Sequence, residues 1–333
     1  MKLCESLSGP GALRLMLSLL VFADHLSRYN FGTTSVYLFF ILSGFWITSM
    51  WERKYSRAFH PYRTFVISRF WRIYPVFALS ALLAVFSSVI SGRFDSQKGS
   101  IARLLFENLL LLGGKNVFFA ANPPAWSLDV EAQFYLIAPL IIGLLRNSFW
   151  WIAAIFLLCL VSIERGDALS VMPYIMFFTA GSMAAMTRWM PGKLLSSSFL
   201  VITILFSLAF AGTGILQGGQ HPNPLYLRFG GVASVLLAFL AFPFAIHSTR
   251  QRGGAHDRML GDLSFIVYMI HRPVMDLIHT GDGGFIHRSF TASLSLLVTL
   301  ASSLLIWRIF DRPLNRLREG WVASRIVSQT AVP

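Results

Sequence analysis

The sequence predicts an all-α integral membrane fold of about ten transmembrane helices, with both termini in the cytoplasm. Three observations carry this expectation. Of 333 residues, 55% are hydrophobic and 13% charged, whereas a soluble domain carries about 25% charged residues. Mean hydropathy is +0.62, and 30 Phe with 9 Trp suit lipid-facing helices and interfacial belts. The net charge of +13 would suggest nucleic acid in a soluble chain. Here the Lys and Arg collect in a few segments between apolar stretches, as the positive-inside rule predicts, so no nucleic-acid partner is expected.

Apolar stretches long enough to cross a bilayer fall near residues 11–27, 35–51, 73–91, 127–145, 149–163, 170–187, 197–216, 229–247, 262–279 and 290–310. The first resembles a signal peptide, with Lys2 ahead of an apolar run. Arg14, Asp24 and His25 interrupt that run and no clean small-residue cleavage site follows, so an uncleaved first helix is expected. An eleventh stretch, Leu104 to Leu112, is too short to span and is bounded by Gly113-Gly114 and Pro123-Pro124. Charge places it. If it does not cross, one side of the membrane holds Lys2, the cations from Arg53 to Arg72, Arg146, Arg188, Lys193, Arg250, Arg252, Arg258 and the basic tail from Arg308 to Arg325. The other side then holds Arg28, Arg93, Lys98, Arg103, Lys115, Arg165, Arg228 and Arg288. That asymmetry selects ten helices and a re-entrant or interfacial segment near 101–125. The longest polar segment, 52–72, is about twenty residues, so no water-soluble domain is expected. Residues 1–310 are therefore read as a single transmembrane domain and 311–333 as a basic cytoplasmic tail.

Ionisable residues inside apolar helices are costly enough to be read first as functional. Arg14 and His25 are eleven residues apart in the first stretch, which on a helix puts them within about 20° of one face and roughly 16 Å apart in depth. Asp24 points about 100° away from His25. The bland alternative is a snorkelling arginine and a histidine satisfied by helix packing. Arg69 and Arg72, three apart in Ser68-Arg69-Phe70-Trp71-Arg72-Ile73-Tyr74-Pro75, turn two guanidinium forks the same way, an arrangement suited to phosphate. Arginines at a cytoplasmic boundary are also what the charge rule alone predicts.

A third group is Trp126-Ser127-Leu128-Asp129-Val130-Glu131, where Glu131 would lie one turn inside the external end of its helix, at a depth similar to His25. An imidazole is the natural partner of such a carboxylate, and a structural ion pair is the alternative. His271, in Tyr268-Met269-Ile270-His271-Arg272-Pro273, is open to three readings: a second catalytic group, a donor-site ligand, or a histidine bonded across a helix interface. Cys4 and Cys159 form neither a metal spacing nor a disulfide framework, so no metal is expected. No GxSxG, HExxH, Walker A or dinucleotide fingerprint occurs in a supporting context.

With Arg14 and His25, then Val36-Tyr37-Leu38-Phe39-Phe40-Ile41-Leu42-Ser43-Gly44-Phe45, Arg69 to Pro75, Trp126 to Glu131 and Tyr268 to Pro273, the chain resembles the membrane acyltransferase-3 family of bacterial integral-membrane O-acyltransferases. Each motif is weak alone, but five in family order span nearly the whole chain. The resemblance implies a ten-helix acyltransferase of the bacterial inner membrane, in the stand-alone form without an extracellular hydrolase-like domain. It would move an acyl group, commonly acetyl from acetyl-CoA, onto a hydroxyl of a polysaccharide, lipopolysaccharide or other glycolipid. The partners it implies are acyl-CoA, the carbohydrate acceptor and membrane lipids, with acetyl-CoA as co-substrate and no bound cofactor.

The family's suspected essential residues map onto Arg14, His25, Arg69, Arg72 and Glu131. His25 would act as general base and Glu131 would orient it, while Arg14, Arg69 and Arg72 bind the donor. Ser127 is a candidate nucleophile for a covalent intermediate, but no base accompanies it by spacing, so direct transfer is favoured. Asp129 departs from the small or neutral residue expected there and competes with Glu131 for the carboxylate role. A transporter or channel is the rival reading, since polar residues in helices also mark solute paths.

The topology is checked by reporter fusions. Fusions after Lys193 and after Arg252 should report cytoplasm, and fusions near Asp95 and Pro222 the exterior. An external signal at Arg252 would refute the ten-helix arrangement.

Overall fold

A computed structural model describes residues 9–94, 99–112, 118–148, 150–164, 170–219, 221–251, 253–280 and 284–326. Lys2, Cys4, Asp95, Lys98, Lys115, Arg165, Arg252 and the last residues of the tail lie outside the described residues. The helices are α1 (Pro10–Asp24), α2 (Gly32–Arg53), α3 (Pro61–Ile90), α4 (Ile101–Leu109), α5 (Trp126–Asn147), α6 (Trp150–Glu164), α7 (Ile175–Met186), α8 (Lys193–Gly212), α9 (Pro224–Thr249), α10 (Ala255–Leu277), α11 (Phe285–Ile306) and α12 (Arg312–Ala323). The described residues form no strand, only isolated bridges.

Each of the ten apolar stretches overlies a helix. Six helical segments, Gly32–Arg57, Pro61–Ile90, Pro123–Asn147, Lys193–Gly212, Pro224–Thr249 and Phe285–Ala323, are long and apolar enough to cross a membrane. Helices α1, α6 and α7 are shorter, and α10 is interrupted by Asp257, Asp262, His271, Arg272 and Asp276.

Two segments differ from the expected boundaries. The polar stretch 52–72 is largely helical, because α3 starts at Pro61, where a proline at the first position has no amide bond to lose. The helix continues through the internal Pro75. Within the expected tail, a π-helical turn at Trp307–Asp311 leads into α12.

The chain falls into two units. The first comprises Met1–Leu42 and Thr187–Tyr268, the second Ser43–Met186 and Met269–Pro333. In the first, α8 and α9 pack as a pair, and Leu216, Ala233 and Leu237 form a small core beside Phe31, Phe210 and Ile215. Helix α8 buries Ser196 and leaves Leu194, Val201, Ile204, Leu205 and Leu208 exposed, the surface of a helix that faces lipid.

Helix α1 begins at Gly9, which has no side chain to cap it. Asp257 of α10 supplies the cap, its Oδ1 accepting from the Gly11 and Ala12 amides at 3.0 Å each. This approach needs glycine, since a Cβ on Gly11 would lie 1.7 Å from the Asp257 carbonyl oxygen. At the other end of α1, Asp24 accepts from the Gly32 amide at 2.8 Å and so starts α2. Asp24 therefore serves helix α2 and is not the residue that orients His25.

In the second unit, α2 crosses α7 at Gly44, where a Cβ would meet the Phe178 carbonyl oxygen at 2.0 Å, and Phe178 stacks on Phe134 of α5 at 4.1 Å. Small residues at such crossings let backbones approach where lipid supplies little drive for helix association. The 101–125 segment packs on α3 through a core of Ala84, Val85, Phe94, Leu104 and Ala121. Ser100 caps α4, accepting from the Arg103 amide at 3.2 Å. Asn108 then turns the chain back, donating to the Phe119 carbonyl and accepting from the Ala121 amide at 2.9 Å each. On the exposed face of α4, the hydrogen bond from Arg103 holds the Glu107 carboxyl below the ordinary carboxylate value.

Gly44→Ala should destabilise the protein by about 1–3 kcal/mol through overpacking. The check is thermal unfolding in detergent, where an unchanged midpoint would refute the close crossing.

Candidate active site

Arg14 and His25 belong to the first unit. Arg14 is half-buried on α1. His25 is the C-cap of α1 in a helical conformation (φ −69°, ψ −13°), so the helical register that relates it to Arg14 extends to its own backbone, and it is exposed.

The remaining predicted residues belong to the second unit. Glu131 is half-buried on α5, and its Oε1 accepts from the Ser43 hydroxyl at 2.6 Å and the Tyr135 hydroxyl at 2.8 Å. Tyr135 is one turn further along α5, an i,i+4 relation readable in the sequence. Ser43 comes from α2 and was legible only as part of a motif. Both described bonds use one carboxylate oxygen, so the group is oriented while Oε2 retains acceptor capacity.

Asp129 is buried, and its carboxylate accepts from the Leu112 amide. It thus ties the returning 101–125 segment to the start of α5, a positioning task that separates it from Glu131. The Ser127 hydroxyl donates to the Pro124 carbonyl at 3.2 Å across the 3₁₀ turn Pro123–Ala125. His271 is fully buried on α10. Close by in the chain, the Met269 carbonyl accepts from Asn122 at 2.9 Å, and Asp276 is flanked by Arg93 and by Arg272, the latter at 3.1 Å.

Arg69 and Arg72 occupy one turn of α3 but have different partners. Arg72 forms a 2.8 Å ion pair with Asp311 of the π-helical turn. The Asn315 amide donates to the other Asp311 oxygen at 2.9 Å. Arg69 donates to the Tyr55 hydroxyl at 2.8 Å, and that hydroxyl shares a 2.7 Å bond with Ser68. The charges of Glu131, Arg69 and Arg72 all act on Tyr135, so the carboxylate and the arginine pair share one electrostatic neighbourhood. Sequence reasoning missed Tyr55 and Asp311. The only signal for Asp311 was an acid among the closely spaced arginines 308–318. Among the described residues, no cluster of three His, Cys, Asp or Glu side chains suits a metal ion, and Cys159 is buried with its thiol on the Pro173 carbonyl.

A family model described as "Acyltransferase domain" matches residues 8–308. Acyltransferase MdmB of Streptomyces mycarofaciens is 31% identical over 166 residues, covering 43% of this chain and 42% of that protein. Nodulation protein 10 of Rhizobium leguminosarum bv. viciae is 21% identical over 333 residues, covering 89% of this chain and 86% of that protein. An uncharacterized protein of Haemophilus influenzae is 31% identical over 134 residues, 37% of this chain and 55% of that protein. The match thus spans less than half of MdmB and about half of the Haemophilus protein. No solved structure matches the chain.

Asp311→Asn should destabilise the protein by about 3 kcal/mol, because it leaves the Arg72 guanidinium without its counter-charge. The measurement is again thermal unfolding. Unchanged stability would show that the pair is held too close to solvent to matter.

Proposed function

The chain belongs to the acyltransferase-3 family, and we propose that it transfers an acetyl group from cytoplasmic acetyl-CoA to a hydroxyl of a cell-envelope or exported carbohydrate. That it is a membrane acyltransferase follows from the family match over residues 8–308 and its apolar helices. The donor reading is carried by one observation: the adjacent guanidinium groups of Arg69 and Arg72, grouped with a tyrosine hydroxyl at the beginning of α3. Charge-assisted, fork-shaped donors of this kind suit the phosphates of coenzyme A. The carbohydrate acceptor rests on the ordered motifs, and the inner-membrane location on the cation asymmetry.

In the proposed reaction the acceptor hydroxyl oxygen attacks the thioester carbonyl carbon. His25 takes the hydroxyl proton as the new C–O bond forms. The C–S bond then breaks and the departing thiolate takes up a proton, giving the ester and free coenzyme A. General-base assistance of this type is typically worth about 10²–10⁴ in rate. Arg14, on the same helix as His25, is assigned to the donor. Glu131, fixed by Ser43 and Tyr135 through one oxygen, is the second essential group. Direct transfer is favoured over a Ser127 ester, since the Ser127 hydroxyl is engaged in donating to the Pro124 carbonyl.

The test incubates the purified protein with labelled acetyl-CoA and an envelope glycan extract, and labelled glycan is expected. Solute flux without acylation would instead mark a transporter. His25→Ala should abolish labelling while membrane abundance is retained. Glu131→Gln should lose less, because an amide oxygen still accepts from Ser43 and Tyr135. A double-mutant cycle over the two residues measures their coupling. Near-parental labelling by His25→Ala would refute the assigned base and make His271 the next residue to test.

A further inference from the structure

Arginine 318 is two turns beyond Asp311 on the C-terminal helix, past the end of the matched family region at residue 308. Hydropathy and charge assign it to a solvated basic tail. It is instead 9% exposed, and Arg69 is 7% exposed. Helix α12 is fixed against α3 at two points, the Asp311–Arg72 ion pair at 2.8 Å and the Trp321–Trp71 ring contact at 5.9 Å. Arg318 lies between them along the helix. Beyond α12 the chain is stitched to the loop ahead of α3, with the Phe59 amide donating to the Arg325 carbonyl at 2.9 Å and a bridge from Ala58 to Ile326. This brings Arg318 into one electrostatic group with Arg69, Arg72 and Tyr55.

Among the described residues, Asp311 and Glu319 make ion pairs within the group, and Glu131 shares the electrostatic neighbourhood of Arg69 and Arg72. Asp311 is buried against Arg72 and Asn315. Glu319 approaches Arg318 at 3.5 Å, but its side chain is 66% exposed and therefore well screened. Three guanidinium groups thus lie close together in a largely buried environment, and like charges so placed favour a counter-anion. A second observation is independent of charge counting. The Nε–H groups of Arg69 and Arg318 are both buried, and neither has a hydrogen-bond partner among the described residues. Unpaired buried donors of this kind require an explanation. The Nε–H is one tooth of the side-on fork by which a guanidinium grips a phosphate or carboxylate.

We propose that Arg318 completes, with Arg69 and Arg72, a binding site for a phosphate or diphosphate anion, so that α12 closes the donor site from outside the matched family region. The proposal rests on reading Arg69 and Arg72 as donor-binding residues, and it identifies the coenzyme A phosphates as the anion. Helix α12 is then part of the binding site, and the π-helical turn at Trp307–Asp311 is the device that carries it there.

The experiment uses the full chain, purified in detergent, with three probes: radiolabelled acetyl-CoA for direct binding, and sodium pyrophosphate and phosphatidylglycerol, each for stabilisation against heat. Arg318→Gln should weaken acetyl-CoA binding about tenfold or more, the loss of one charge-assisted fork. Arg318→Lys should recover part of the affinity by restoring charge without the fork. Arg316→Gln, an exposed position on the same helix, should bind within about twofold of the parent. The ligand-free Arg318→Gln protein should unfold no earlier than the parent, because one of three crowded cations is gone. A structural role would instead lower its midpoint by several degrees and leave Arg318→Lys binding normally, which overturns the proposal. Parental affinity in Arg318→Gln together with loss of binding in Arg69→Ala also overturns it, while leaving the donor reading intact. If the parent itself does not bind acetyl-CoA, the donor reading falls and pyrophosphate decides. Stabilisation of the parent but not of Arg318→Gln supports the anion site. Stabilisation by phosphatidylglycerol and not by pyrophosphate refutes it, as does no stabilisation at all.

Discussion

A charge inside an apolar helix must be answered by a partner, and in a chain with few charged residues the choice of partners shapes the fold. Asp257 shows this most directly. Its carboxylate has left solvent, and the two amides it accepts from belong to the unprotected start of another helix. One contact thus satisfies a buried acid and two orphan amide donors at the start of α1. Asp24 does the same for α2 through the Gly32 amide, and Asp129 holds the turn at Leu112. Glycines at Gly11 and Gly44 make such approaches geometrically feasible, since side chains there would collide with the facing backbone. Polar capping and close helix crossings are in this sense two parts of one solution to building in a solvent that supplies no hydrogen bonds.

The same constraint explains the form of the C-terminal segment. Arg72 on α3 is paired with Asp311, 239 residues away in sequence. A regular α-helix running on from α11 places side chains every 100° or so. The π-helical turn adds a residue to that spacing and shifts the faces that follow. Asp311, Asn315 and Arg318 then lie along one side of α12, and Trp321 meets Trp71. What reads as a detached basic tail is drawn onto α3 by a buried carboxylate and by the Trp321–Trp71 contact.

Legibility in the sequence followed the range of the interaction. Hydrophobic stretches are local, and each of the ten overlies a helix. The i,i+3 spacing of Arg69 and Arg72 and the i,i+4 spacing of Glu131 and Tyr135 are local as well, and both were readable. Hydropathy starts the third span at 73 because it counts the charges of 52–72 without knowing that Arg69 is buried beside Tyr55. Pro61 was the available signal for a helix start there. Ser43 on Glu131, Asp311 on Arg72 and the burial of Arg318 depend on segments far apart in the chain, and no periodicity carries that information. Charge asymmetry distributes cations between the two sides of a membrane, but it does not distinguish a solvated arginine from one held against another helix.

Hydrogen-bond satisfaction then sorts the ionisable groups into two kinds. Asp257 has two amide donors, and Asp276 is flanked on both oxygens, by Arg93 and by Arg272. Groups matched in this way hold helices together and have little left with which to recognise a ligand. Glu131, Arg69 and Arg318 differ. Each is fixed by part of its bonding capacity, Glu131 through Oε1, Arg69 through Nη2, and Arg318 by burial in α12. Each also keeps a polar atom in reserve, the Glu131 Oε2 and the two Nε–H groups. Leaving buried donors unmatched costs stability in the empty protein, a cost that a structural role does not require and that a bound anion would offset. Glu131, Arg69 and Arg318 are therefore residues whose incomplete local satisfaction agrees with the chemistry assigned to them.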